Sequence, residues 1–335
     1  MKAIIYTTSG SPDVLTLSER PVPEPGPGEV RVQVRVSGVN PTDWKRRRTV
    51  GPSWEQVPNQ DGSGVIDAVG SGVPESRIGE RVWVWEAAYQ RPGGTAQEYM
   101  TLPSRQAVAL PDHASFALGA SIGIPALTAH RALTVADGGP QRLAPGALDG
   151  RTVLVAGGAG AVGNAAIQLA RWAGATVVTT VSSKEKGELA RAAGAHHVVD
   201  YTSQDAAAEI RRIAPDGVHQ VVEVAPAANA GLDLAVAAPD AVVAFYADDS
   251  GTVTVPVRPS MTANLRWQGI LVYTLPPAAK DHAIAAVTAA LADGAIRVGE
   301  EAGLPLHHFP LDRTADAHAA VEQGAVGKVL VDVSS

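Results

Sequence analysis

The stretch TVLVAGGAGAVGNAAIQLARWAGATVVTTVSS, residues 152–183, decides the fold. Val153, Leu154 and Val155 read as a buried strand. The glycine-rich turn Gly157, Gly158, Ala159, Gly160, Ala161, Val162 and Gly163 follows it. Ile167, Leu169 and Ala170 then recur at helical spacing, and a second apolar strand closes on Ser182 and Ser183. Strand, glycine turn, helix and strand in this order form the mononucleotide half of a dinucleotide-binding fold. The glycines permit a tight turn and close backbone approach to a pyrophosphate, which the free N–H groups of the helix N-terminus receive.

The end of the second strand selects the nucleotide. A site for NAD usually carries an acidic residue about 20 residues past the glycines, to bind the ribose 2′-hydroxyl. Here Ser182 and Ser183 stand there, followed by Lys184 and Lys186. Cations in the first turn of a helix oppose its macrodipole, and a 2′-phosphate gives them a partner. NADPH is therefore expected over NADH.

Around this segment the texture of the chain changes twice. Residues 1–123 are strand-rich, with period-two alternation over 31–36 and further strand candidates at 64–70 and 80–85. Short apolar strands at 177–181, 198–201, 220–224, 241–246 and 270–273 then alternate with helices at 184–193, 205–214 and 281–292. That alternation predicts an α/β architecture with a doubly wound parallel sheet. The tail returns to short strands around a helix at 315–322.

Composition narrows the function. The net charge of −7 argues against a general nucleic-acid surface. The longest uncharged stretch is the glycine segment itself, so no membrane span is expected. The strand-like start Met1–Tyr6 is not a charged n-region followed by a long apolar one, so a cytoplasmic enzyme without a signal peptide is expected. The chain has no cysteine, which excludes disulfides, thiolate nucleophiles and thiolate metal ligands.

In this order along the chain, several short motifs resemble the zinc-independent quinone oxidoreductases, the zeta-crystallin-like branch of the medium-chain dehydrogenase/reductase superfamily. They are Gly38-Val39-Asn40-Pro41 with Asp43, Asp61-Gly62-Ser63-Gly64 leading to Gly70, and Gly79-Glu80-Arg81-Val82. Gly93-Gly94-Thr95-Ala96, Ile122-Gly123-Ile124-Pro125 through Ala129, the glycine turn and residues 324–330 complete the set. The resemblance implies a GroES-like catalytic domain over 1–123 completed by 301–335. It also implies a Rossmann NADPH-binding domain over 124–300, with nicotinamide and substrate meeting between the two. The zinc branch of the superfamily needs a cysteine and a His-Glu pair where this chain has Asn40 and Gln60-Asp61, so no metal is expected. Without zinc, and with no Tyr-x-x-x-Lys pair anywhere, oxidising an alcohol is disfavoured. Reducing an acceptor that is already electrophilic, a quinone or an activated alkene, is less demanding.

By the same resemblance, Asn40 and Thr128 bracket nicotinamide and substrate. Gly158, Ala161 and Val162 line the pyrophosphate turn, and Ser182, Lys186 and Tyr201 hold the 2′-phosphate. Phe245 and Ala247 end a strand at the ligand-binding edge, and Gly327 and Lys328 belong to a C-terminal cofactor loop. Many relatives have a tyrosine where this chain has Lys45, beside Trp44 and the run Arg46, Arg47 and Arg48. This run is either a solvated helix end or an anion-attracting pocket mouth. Trp83 and Trp85 share a strand face, which favours core packing. The expected activity is NADPH-dependent reduction of quinone-type acceptors without metal. Alternatives are an enoyl or enal double-bond reductase, and a cofactor-binding structural or RNA-binding protein. The uncharged run in 268–273 reads as an open sheet edge, which predicts a homodimer.

Overall fold

Six stretches between residues 152 and 269 pair into one parallel sheet. The computed structural model describes residues 1–248 and 251–334. Numbered one to six along the chain, the strands are Thr152–Ala156, Thr176–Val181, His197–Asp200, Val218–Glu223, Ala237–Phe245 and Arg266–Gly269. They stand in the order 3-2-1-4-5-6. The order reverses between strands one and four, so the carboxyl ends of Thr152–Ala156 and Val218–Glu223 flank the switch point where such sheets take ligands. Leu154, Val178, Val199, Val221 and Val243 fill the core on one side of the sheet, against Ile210 and Val236 of the crossover helices.

These strands belong to a unit of residues Pro125–Leu304. The other unit joins Met1–Ile124 to Pro305–Ser335. Its sheet runs through Leu306–Pro310, Lys328–Asp332, Glu29–Val39, Asp61–Val69, Arg81–Val84 and Ala107–Ala109, with Tyr99–Pro103 also paired to Glu29–Val39. The C-terminal strand Lys328–Asp332 is thus antiparallel neighbour to Glu29–Val39, setting Val329 against Val39. Val30, Val32 and Val34 alternate inward and are fully buried, as period two requires.

Several elements differ from the sequence reading. Helices Phe116–Leu133, Pro226–Val236 and Val257–Thr262 lie outside the helix ranges it gave, while Pro41–Thr49 is a helix ending on the basic run Lys45–Arg48. The last parallel strand is Arg266–Gly269, and the apolar run after it leaves the sheet: Val272–Thr274 is a 3-10 turn with Val272 and Tyr273 buried. The edge strand is therefore the polar Arg266-Trp267-Gln268-Gly269. Arg47 is also not solvated. Its guanidinium is fully buried, donating to the Gly10 carbonyl at 2.7 Å and to Glu322 at 2.8 Å, while Arg48 takes the other Glu322 oxygen at 2.7 Å. Arg47 is thus an internal partner, whereas Arg48 pairs with Glu322 at the surface with 61% of its side chain exposed. Trp83 and Trp85 are core residues, both buried.

Candidate functional site

In the parallel-sheet unit the site begins at the turn after the first strand. Gly157 has φ of +70°, a backbone conformation that favours glycine. A Cβ on Gly158 would overlap the Thr179 hydroxyl and lie 2.9 Å from the Ile167 side chain. Thr179 cannot yield, because its hydroxyl donates to the Val155 carbonyl at 2.7 Å. The turn thus lies flat against the sheet and delivers the chain to helix Ala161–Trp172. The first N–H groups of that helix, including those of Ala161 and Val162, have no intrahelical acceptor and are open to an anion.

At the end of the second strand, Ser183 caps helix Lys184–Ala192 by accepting from the Lys186 amide at 3.3 Å. The cap turns the Lys186 side chain back over the strand end, where its ammonium donates to the Ser182 hydroxyl at 2.8 Å. Lys184 points to solvent instead. Tyr201 follows the third strand, its amide bonded to the Val181 carbonyl at 3.2 Å, with 53% of the residue exposed. Ser182 and Lys186 are therefore in contact at the end of the second strand, and Tyr201 stands at the end of the neighbouring third strand; among the described residues no carboxylate is hydrogen-bonded to the Ser182–Lys186 pair.

Sequence reasoning missed a carboxyl pair in the same unit. Glu223 ends the fourth strand beside the switch point and accepts from the Ala225 amide and, at 3.0 Å, from Asn229. Asp233 is fully buried, and no N–H or hydroxyl donor reaches its carboxyl oxygens. Its carboxyl is hydrogen-bonded to that of Glu223, and two carboxyl groups can bond only through a proton that they share. Burial, then the Glu223 charge, pushes the Asp233 carboxyl up to about 9. Burial raises the Tyr246 phenol as well, and the Glu223 charge adds to it. Phe245 pairs in register with Glu223 and Gly269, and Ala247 follows the strand. The available signal was a lone carboxylate ending the apolar run 220–224.

In the other unit, Asn40 precedes helix Pro41–Thr49, and its backbone amide donates to Asp43 at 2.7 Å. Its side-chain Nδ2 donates to Asp61 Oδ2 at 2.7 Å, and its Oδ1 accepts from Lys328 Nζ at 2.8 Å. Asp61 also accepts from the Ile124 amide at 2.8 Å and faces Lys328 at 3.4 Å. Every partner of Asp61 is a donor, which suits a carboxylate. Burial raises the Asp61 carboxyl and lowers the Lys328 ammonium, and each charge opposes the shift of the other. Asp43 is pushed up to about 8 by burial. Glycines make this network possible: a Cβ on Gly123 would overlap the Asp61 carboxylate, and one on Gly38 the Ala120 carbonyl. Lys328 was expected in a cofactor loop, yet its side chain is buried and committed to Asn40 and Asp61. Gly327 has φ of +109°, and a Cβ there would overlap the Pro305 carbonyl. Thr128 lies buried in helix Phe116–Leu133, in the parallel-sheet unit.

Comparisons with known proteins bear on both units. Residues 26–112 match the alcohol dehydrogenase GroES-like domain family, and residues 161–292 the zinc-binding dehydrogenase family. The chain is 34% identical over 228 residues to the synaptic vesicle membrane protein VAT-1 homolog of Rattus norvegicus, covering 67% of this chain and 53% of that protein. It therefore spans only about half the length of that relative. It is 30% identical over 340 residues to a quinone oxidoreductase of Lama guanicoe, covering 99% of this chain and 97% of that one. Among solved structures, an NAD-dependent alcohol dehydrogenase superposes with a TM-score of 0.85 at 28% identity, with all of both chains covered. A mycobacterial protein solved with NADPH superposes with a TM-score of 0.81 at 28% identity, over 99% of each chain.

The family description names zinc, and the residues here do not fit it. Where the resemblance puts zinc ligands, Asn40 and Asp61 are hydrogen-bonded to each other and to Lys328 and Ile124, while Gln60 accepts from the Ala88 amide at 3.1 Å. No three His, Cys, Asp or Glu side chains are grouped to hold a metal among the described residues. With both halves of its fold matched, and a quinone oxidoreductase aligned nearly end to end, the chain belongs to the quinone oxidoreductase branch of the medium-chain dehydrogenase/reductase superfamily.

Proposed function

We propose that the protein reduces small electrophilic acceptors of the quinone type, with NADPH as hydride source and without a metal. The observation that carries the cofactor choice is the Lys186–Ser182 contact of 2.8 Å at the end of the second strand, where an NAD site would hold a carboxylate. An ammonium and a hydroxyl already in contact suit a dianionic 2′-phosphate and leave a bare 2′-hydroxyl under-recognised. Bound NADPH supplies the hydride. The chain holds the pyrophosphate against Gly158, Ala161 and Val162, and presents Phe245 and Ala247 at the ligand edge. Gly327 brings its own backbone close to the strand partner. Asn40 and Thr128 offer an amide and a hydroxyl to nicotinamide and acceptor. The NADPH complex of the mycobacterial relative and the quinone oxidoreductase name of the Lama guanicoe relative support the same reading.

Quinone and activated-alkene reduction are separated by product analysis. Incubation with NADPH and equimolar naphthoquinone and α,β-unsaturated ketone should yield hydroquinone as the main product. Exclusive saturation of the enone would assign the protein to double-bond reduction instead. A homodimer and a cytoplasmic setting belong to the same proposal; the apolar run 270–273 lies outside the sheet, so the dimer rests on the family resemblance alone. No helix among the described residues is long and apolar enough to cross a membrane.

A further inference from the structure

The Asn40 amide is held in one orientation by two oppositely charged neighbours. Its oxygen accepts from the Lys328 ammonium at 2.8 Å, and its nitrogen donates to the Asp61 carboxylate at 2.7 Å. Asp61 is itself fixed by the Ile124 amide at 2.8 Å. Asn40, Asp61 and Lys328 are 4%, 0% and 1% exposed. Flipping the amide would turn its NH2 to an ammonium and its oxygen to a carboxylate, losing both hydrogen bonds inside a low-dielectric interior where neither group finds water. The side chain therefore keeps one unused polar valence, the second hydrogen on Nδ2. A cation on the amide oxygen also draws electron density from the nitrogen, which makes that hydrogen a stronger donor.

We infer that Lys328 and Asp61 are positioning residues that make Asn40 a polarised, one-way hydrogen-bond donor to the oxygen of a carbonyl-type acceptor. This rests on the proposed quinone reduction, with Asn40 beside the acceptor. During that reaction a C–H bond of the reduced nicotinamide breaks, and its hydrogen moves with the electron pair to the acceptor. One acceptor oxygen becomes an oxyanion, and a proton from water completes the hydroquinone. The Asn40 N–H stabilises the oxyanion and keeps its proton throughout. The Lys328 ammonium is thus assigned to the acceptor side of the chemistry rather than to a cofactor-contacting loop.

The test uses the full chain, NADPH and substituted 1,4-benzoquinones and naphthoquinones of graded reduction potential. Lys328→Met should lower kcat about tenfold and leave the KM for NADPH within about twofold, a smaller loss than deleting an oxyanion donor outright. The loss should grow as the quinone becomes a poorer electrophile, because a less stabilised oxyanion depends more on the donor. Lys328→Arg should restore most of kcat, and in an Asn40→Ala background Lys328→Met should cost nothing further. Lys328→Gln keeps a donor to Asn40 and drops the charge, so it serves if Lys328→Met does not fold. A raised KM for NADPH at unchanged kcat, an equal loss for every quinone, or additive effects with Asn40→Ala would each overturn the inference. An independent readout is the Asn40 side-chain amide signal in asparagine-labelled protein, which should move upfield in Lys328→Gln. An unmoved signal overturns the positioning role even if quinones are reduced. Conversely, a moved signal with no quinone turnover by the wild-type chain upholds the positioning role and refutes the quinone reading.

Discussion

Asp233→Asn should make the protein more stable, and increasingly so as pH rises. In the folded chain the Asp233 carboxyl is buried against Glu223 and holds its proton up to about pH 9, against an ordinary value of 3.8. Unfolded, it loses that proton near pH 4. Across the window between these values the folded state binds one proton more than the unfolded state, so stability falls with pH by about 1.4 kcal/mol per unit for this group. The pair titrates as a unit, and one proton sets the slope. An asparagine in its place would donate an N–H to the free Glu223 oxygen and leave nothing to titrate at 233. Relative to wild type, the variant should therefore gain about 3 kcal/mol between pH 6 and pH 8. Urea unfolding at pH 6, 7 and 8, compared at constant m-value, measures that gain. A stability difference that does not change with pH would refute the shared-proton description of Glu223 and Asp233.

Lys186→Ala should raise the KM for NADPH by about tenfold or more, since a charge-assisted hydrogen bond to phosphate is worth about 1.5–3 kcal/mol. The KM for NADH should stay nearly unchanged, and exposed Lys184→Ala should do much less; equal loss for both cofactors would contradict the phosphate assignment. Gly158→Ala should cost about 1–3 kcal/mol of stability, because its methyl meets the pinned Thr179 hydroxyl; thermal denaturation without nucleotide reads this directly. Sedimentation should find a dimer at micromolar concentration, and a monomer there would count against the assembly that the family resemblance implies.

The parts of this fold that were legible in the sequence are those set by local pattern. The glycine turn could be read because the positive φ of Gly157 and the close approach of Gly158 allow few other residues. Alternation over 31–36 exposed the buried valines of the long antiparallel strand. Helix Phe116–Leu133 was hidden because Gly119, Gly123 and Pro125 are helix breakers when judged locally. The fold compensates: the Ile124 N–H ahead of Pro125 donates to Asp61, and Gly123 is the residue that lets this carboxylate approach. The run after Gly269 is apolar enough for a strand, but its buried residues pack a 3-10 turn instead. In the site, Ser182 and Lys186 could be found because a capped helix start places them four residues apart. Asn40, Asp61 and Lys328 are separated by 21, 267 and 288 residues pairwise, and no periodicity or spacing rule links positions that only a sheet brings together.

The most direct test of the central claim is the stoichiometry and cofactor preference of turnover with a 1,4-naphthoquinone under anaerobic conditions, with and without a zinc chelator. One hydroquinone should form per NADPH oxidised, kcat/KM for NADPH should be at least about tenfold above that for NADH, and the chelator should have no effect. Preference for NADH, or turnover lost to the chelator and restored by zinc, would contradict that claim.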